Sequence, residues 1–352
     1  MSPAREIAFR VLLRVSEGGF ATDLLRHETA EARDIALAET IVLGCLRYQA
    51  QLDFLIAQFS GKSGAKLDPE VSIALRMGIF QLRFLDRIPP YAAVADSVDL
   101  VKMARKKSAS GYVNAVLRRV HTSFIKWPDM ATELSVPPWL LERWKQHYGE
   151  EAAEAIARAA LEEPHATHNP ATGRRQDLSA QSIVPLLQIK PGMDVLDVCA
   201  APGNKTAQML ALGAHVVACD RSFKRLEAVP AEAERVLIDG SMALPFTARF
   251  DRILLDAPCS GTGTLGRNPE IKWRLKPEDL PRLGHLQRQM LAQALPCLKP
   301  GGRLVYSTCS LEKEENEDVV AAFSSAFEVP ETHLRRPGRD PGDGFFAAVI
   351  TS

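Results

Sequence analysis

The six cysteines, Cys45, Cys199, Cys219, Cys259, Cys297 and Cys309, form no CxxC pair and share no regular spacing. That argues against a disulfide framework and fits a reducing cytoplasm. Long apolar runs are also missing, and none approaches the ~18 residues of a membrane span. The stretch Met1 to Glu17 is interrupted by Arg5, Arg10 and Arg14, so no secretory signal core is expected there. Internal repeats and low-complexity segments are absent, and the histidines lack metal-ligand spacing. Finally, there is no excess charge. The 43 Lys and Arg match 43 Asp and Glu, so composition alone gives no pull toward nucleic acid. What remains, 46% apolar and 24% charged residues, is the balance of a globular chain. At roughly 150 residues per domain, 352 residues suggest two domains.

The zero net charge is a cancellation. Residues 1–125 carry 17 basic and 13 acidic residues, residues 126–170 carry 4 and 8, and residues 171–352 carry 22 of each. The first part reads as helical. Ala8, Val11, Leu12 and Val15 recur at the spacing of one helix face, as do Val71, Leu75, Ile79 and Leu82. Pro89-Pro90 stops the second of these helices. Trp127-Pro128, Pro137-Pro138, Pro164 and the turn Pro170-Ala-Thr-Gly173 mark a connector. From residue 190 short apolar strands alternate with helices: 194–198, 215–219, 235–238, 253–256 and 303–307, with helical stretches at 205–212 and 283–298. Val319, Val320, Phe323 and Phe327 predict one more amphipathic helix, and 345–350 a last strand. Strand and helix in alternation imply a parallel sheet with helices on its faces.

The strand Val195-Leu-Asp-Val198 runs into Cys199-Ala-Ala-Pro-Gly-Asn-Lys-Thr206. Small residues between a strand and a helix let a ligand approach the backbone. The next two strands end in Asp220 and Asp239, where acids suit ribose hydroxyls and an adenine amine. Neither GxGxxG nor GxxxxGK[ST] is present, which favours a nucleoside without a phosphate tail. S-adenosylmethionine fits that description.

Two further loops carry cysteines: Asp256-Ala-Pro-Cys259-Ser-Gly-Thr-Gly263 and Tyr306-Ser-Thr-Cys309-Ser310. In a doubly wound sheet, loops at the carboxyl ends of strands share one crevice. Cys45, Cys219 and Cys297 read instead as small buried hydrophobes. Two thiols suit methylation at carbon 5 of a cytosine, which is too poor a nucleophile to act unaided. A thiolate added at carbon 6 pushes electron density onto carbon 5, dividing a difficult step into two. Release of the product then needs a base. Asp256 can hold N3 and the exocyclic amine.

These residues carry a family likeness. CAAPGNKT, DAPCSGTGTLGRNPEIKW, YSTCSLEKEENE and the tail Asp343-Gly-Phe-Phe-Ala-Ala348 resemble the motifs of the RNA (cytosine-5) methyltransferases. Segments 38–47, 88–94 and 112–119 resemble a NusB-type helical RNA-binding domain. The likeness implies an all-α NusB-like domain at 1–125, a connector at 126–175, and a methyltransferase domain at 176–352. The last would be an α/β Rossmann-like class I domain, with a mostly parallel seven-stranded sheet whose last strand is antiparallel. It further implies that Cys309 is the nucleophile and that Cys259 assists proton removal or release. S-adenosylmethionine would be held by Cys199, Ala200, Ala201, Pro202, Gly203, Asn204, Lys205, Asp220, Asp239 and Asp256. Small-subunit ribosomal RNA, naked or in an assembling particle, would be the substrate of a cytoplasmic monomer. The alternatives are the same chemistry on transfer RNA or another RNA, or a non-catalytic RNA-binding assembly factor on the same scaffold. Arg267, Lys272 and Arg274 fall in the family's substrate-facing loop, where basic side chains meet phosphate. Asn204 replaces a glycine, and Asn tolerates a left-handed backbone there. The family's small RNA-contacting subdomain is reduced to a remnant between Glu163 and Asp177.

Overall fold

Proline marks where several helices begin. Pro3, Pro69, Pro90 and Pro138 each occupy a first-turn position, where the missing N–H costs nothing. In the computed structural model, which describes residues 2–61, 67–120, 124–165, 167–247 and 249–351, the chain forms two units. One comprises Met1–Glu162 with Leu265–Trp273, the other Glu163–Thr264 with Arg274–Ser352.

The first unit is helical: α1 (Pro3–Ser16), α2 (Ala21–Arg26), α3 (Ala32–Arg47), α4 (Gln49–Ser60), α5 (Pro69–Phe84), α6 (Pro90–Met103), α7 (Ser110–Leu117), α8 (Met130–Glu133), α9 (Pro138–Tyr148) and α10 (Glu150–Ala159). The periodic residues Ala8, Val11, Leu12 and Val15 of α1 are buried together with Val71, Leu75 and Ile79 of α5. Burial of each large aliphatic side chain contributes about 1.5–3 kcal/mol. Gly44 of α3 faces the Phe80 ring so closely that a Cβ would lie 1.9 Å from it. Leu265–Trp273 joins this unit through named bonds. Arg47 donates from Nε and Nη2 to the Gly266 carbonyl at 3.1 and 2.9 Å. Trp273 Nε1 donates to the Leu46 carbonyl at 2.7 Å, and the Ala21 amide donates to Glu270 Oε1 at 2.9 Å.

The second unit holds seven strands among the described residues: β1 (Asp194–Asp197), β2 (His215–Asp220), β3 (Glu234–Leu237), β4 (Phe250–Asp256), β5 (Leu298–Thr308), β6 (Glu328–Arg335) and β7 (Phe345–Thr351). Their order is β3-β2-β1-β4-β5-β7-β6, and β7 alone runs against its neighbours. The central strands are apolar on both faces, as a covered parallel sheet requires. Leu196, Ile253, Leu255, Leu304 and Tyr306 pack on one side, and Val195, Leu254 and Val305 on the other. The helices α11 (Leu178–Gln181), α12 (Asn204–Ala211), α13 (Phe223–Leu226), α14 (Ile271–Arg274), α15 (Asp279–Ala294) and α16 (Glu317–Ala321) complete the chain. Strand order reverses between β1 and β4, so the carboxyl ends of β1, β2, β4 and β5 surround one crevice.

Two expectations need correction. The helix predicted through Phe327 stops at Ala321, and Phe323 and Phe327 pack against the core from the irregular segment that follows. The strand β6 had no sequence signal. It is an edge strand with a register shift between Glu328 and Glu331, and none of its side chains is buried. Between Pro164 and Asp177 the described residues contain only an isolated bridge from His168 to Arg175.

Candidate active site

The loop after β1 is shaped by glycine and closed by polar bonds. Gly203 sits at φ 92°, and a Cβ there would lie 2.7 Å from Pro230 and 2.8 Å from the Val229 backbone. Asn204, where a left-handed backbone would be tolerated, is the first residue of α12. Gly203 supplies the turn one position earlier, and Asn204 Nδ2 donates to the Arg175 carbonyl at 3.1 Å. Arg225 Nη2 ties the loop down through the Ala201 carbonyl at 2.7 Å.

Acids line the crevice. Asp220 is buried at the end of β2, its Oδ1 accepting from the Ser222 amide at 2.9 Å. Asp239 lies just past β3, exposed, with the Ser241 amide and hydroxyl holding its carboxyl below the usual range. Asp197, which sequence reasoning passed over, is buried beneath them. It accepts from Thr206 Oγ1 at 2.7 Å through Oδ2, while Oδ1 has no protein partner. Burial, reinforced by the nearby Asp256 and Asp220 charges, pushes its carboxyl up to about 7. Burial and the same carboxylates raise the Cys199 thiol well above its ordinary value, so Cys199 lines the crevice as a neutral group.

Asp256 ends β4 with both oxygens engaged. Lys205 Nζ donates to Oδ2 at 2.6 Å and Ser307 Oγ donates to Oδ1 at 2.8 Å. The Lys205 ammonium also stands 5.1 Å over the Phe345 ring, a contact absent from the sequence reading. The register of β4 against β5 pairs Asp256 with Ser307, and the two cysteine loops then leave the sheet side by side. Cys259 and Cys309 meet with their sulfurs 3.3 Å apart, and either can donate. The Cys309 carbonyl accepts from the Gly263 amide at 2.9 Å, joining the loops a second time. The hydrogen bond to Cys309, then burial, then charge at Cys309 and Glu315 hold the Cys259 thiol protonated.

One candidate RNA contact is overturned. Lys272 is fully buried, donates to the Arg47 carbonyl at 2.9 Å, and is depressed to about 7 by burial and by Arg47. A side chain that reaches no solvent cannot meet a phosphate. Arg267 and Arg274 remain half-buried. Cys45, Cys219 and Cys297 are buried, as their apolar contexts implied.

The family described as 16S rRNA methyltransferase RsmB/F matches residues 184–336, and the NusB family matches residues 2–122. Ribosomal RNA small subunit methyltransferase B of Yersinia pseudotuberculosis is 31% identical over 98% of this chain and 98% of its own. The chain belongs to this ribosomal RNA methyltransferase family. A probable small subunit methyltransferase B of Bacillus subtilis is 29% identical over 91% of this chain and 87% of its own. The Yersinia alignment runs over 422 positions, more than the 352 residues here, so that relative carries residues this chain lacks. The fold is shared with the crystal structure of PH0851, at TM-score 0.80 and 22% identity over 99% of both chains. A methyltransferase homolog from Pyrococcus horikoshii covers 64% of this chain at TM-score 0.53 and 24% identity.

Members of this methyltransferase family act on ribosomal RNA, and the methyl donor is S-adenosylmethionine. The crevice fits that donor. It offers a buried acid at Asp220 and the unpartnered Asp197 oxygen. Among the described residues no helix is long and apolar enough to cross a membrane.

Proposed function

We propose that the chain methylates carbon 5 of a cytidine in 16S ribosomal RNA in the cytoplasm, acting as a monomer, with Cys309 as the covalent catalyst. The observation that carries this reading is the pair of sulfurs 3.3 Å apart beside the Lys205–Asp256 pair. Residues 199–205, Asp220, Asp239 and Asp256 would hold S-adenosylmethionine, which when bound supplies an electrophilic methyl group.

In the resting pair Cys259 keeps its proton and its thiol faces the Cys309 sulfur at 3.3 Å. Cys309 gives up its thiol proton to solvent, its sulfur adds to carbon 6 of the base, a new S–C bond forms, and the displaced π electrons make carbon 5 nucleophilic. Asp256 accepts from the exocyclic amine, and its fixed bonds from Lys205 and Ser307 keep the carboxylate aimed. Once carbon 5 carries the methyl group, Cys309 is a thioether and no longer an anionic acceptor. Cys259 then releases its thiol proton to solvent and, as the thiolate, takes the carbon 5 proton. The electrons of the broken C–H bond restore the double bond, and Cys309 leaves as thiolate. A base stacked in a duplex would first have to flip out. Arg267 and Arg274 are proposed to contact the RNA backbone.

The test is incubation with labelled S-adenosylmethionine and ribosomal RNA, naked and in assembling subunits, followed by nucleoside analysis. 5-Methylcytidine is expected, and its absence on every RNA would sink the reading. C259A should accumulate a covalent RNA complex and C309A should not. Trapping by C309A instead would reverse the two roles.

A further inference from the structure

Behind the two cysteines lies a carboxylate that the proposed chemistry does not use. Glu315 has no solvent exposure and ends a short 3-10 turn, Lys313–Glu315. Its Oε1 accepts from the Ser260 amide at 2.8 Å and from Gln287 Nε2 at 3.0 Å. Its Oε2 accepts from the Ser260 hydroxyl and, at 2.5 Å, from the Ser310 hydroxyl. Ser260 follows Cys259 in the chain, and Ser310 follows Cys309. One carboxylate therefore grips the residue after each thiol. The same Gln287 amide also donates to the Pro258 carbonyl at 2.9 Å, just ahead of Cys259, and Tyr306 Oη donates to the Glu315 carbonyl at 2.5 Å.

We infer that Glu315 is a positioning residue that sets the separation of Cys259 and Cys309 by holding both cysteine loops on one carboxylate. The inference deepens the covalent reading above and rests on it for its catalytic consequence only. The burial is costly, since desolvation raises the Glu315 carboxyl above its usual range. A buried group that exposes no atom to substrate and faces four donors acts through what it holds. The span matters more than the charge. Aspartate is one methylene shorter and cannot reach Ser260 and Ser310 together. Glutamine keeps the span, because the two serine hydroxyls can turn to accept from its amide.

A trivalent arsenical chelates two thiols only when they are adjacent, so phenylarsine oxide reads the separation directly and needs no RNA. The full-length protein, E315A, E315D and E315Q would be titrated with it, and C259A and C309A would fix the signal of a lone thiol. Affinity should fall ~10-fold or more in E315A and E315D and stay within about three-fold in E315Q, as misplacement by ~1 Å is costly. Methyl transfer should follow the same order in kcat, with KM for S-adenosylmethionine unchanged. S260A/S310A, which keeps Glu315, should behave like E315A and serves should a Glu315 variant fail to fold. Unchanged chelation in E315A, E315D and S260A/S310A overturns the positioning role, as does equal loss in E315Q. If chelation falls while methyl transfer does not, the positioning role stands and the covalent reading falls.

Discussion

Replacing Lys272 with methionine should change how the helical unit responds to pH. Lys272 is fully buried and donates to the neutral Arg47 carbonyl at 2.9 Å. Its amine is depressed from 10.5 to about 7 in the folded chain. Between those values the unfolded chain binds a proton that the folded chain has released, so stability rises with pH across that window. Below pH 7 the cost is fully present, at ~1.4 kcal/mol per pH unit roughly 5 kcal/mol in all. By pH 9 only about 2 kcal/mol remains, so the parent should gain about 2–3 kcal/mol between pH 6 and pH 9 from this residue. Methionine keeps the length and removes the proton, so K272M should lose that gain. It forfeits a hydrogen bond of about 1 kcal/mol at both pH values, which cancels in the comparison. The four tryptophans, Trp127, Trp139, Trp144 and Trp273, all lie in the helical unit, so urea unfolding followed by tryptophan fluorescence reports that unit. If K272M and the parent showed the same difference between pH 6 and pH 9, the buried amine would not be the titrating group and the argument would fail.

Asp197 should show the opposite slope in the second unit. Its folded carboxyl stands at about 7 against 3.8, so the folded chain binds the extra proton and stability falls as pH rises through that window. D197N keeps an acceptor for Thr206 and should be more stable than the parent at pH 8, by up to about 4 kcal/mol, with no gain at pH 4. Thermal unfolding by circular dichroism at the two pH values checks both arms. G263A should destabilise the second unit by about 1–3 kcal/mol, because overpacking against backbone has no soft neighbour to yield. The new Cβ would stand 2.4 Å from the Gly344 carbonyl oxygen. A melting temperature equal to the parent's would show that the loop yields.

Most of the catalytic unit was legible because its signals are local. Val195, Leu196 and Val198 form a buried run before a loop of small residues, and such a run reads as a central strand wherever it occurs. The acids at strand ends and the cysteines after β4 and β5 follow from the same logic, since topology brings carboxyl ends together without knowledge of any contact. Glu315 was not legible. It sits in Glu312-Lys-Glu-Glu315, which looks like a solvated charge run, and only the fold reveals that Glu312 and Glu315 are buried. Lys272 was misread for a related reason. A lysine beside Arg274 in a loop suggests exposure, and nothing in the sequence shows that Arg47, more than two hundred positions earlier, supplies its acceptor. Gly203 and Asn204 show the limit of residue-type arguments. Both tolerate a left-handed turn, and helix geometry decides which of them takes it.

Leu265–Trp273 belongs to the helical unit although roughly a hundred residues of another unit separate it from Glu162. During synthesis, then, the first unit cannot finish when its tenth helix emerges. Gly266, Glu270 and Trp273, which bond to Arg47, Ala21 and Leu46, are still to be translated. The vectorial order in which domains usually fold is broken here, and a half-built helical unit must wait, exposed, for its closing segment. A fragment ending at residue 162 would reproduce that waiting state permanently, and should bind chaperones and aggregate more readily than its length suggests.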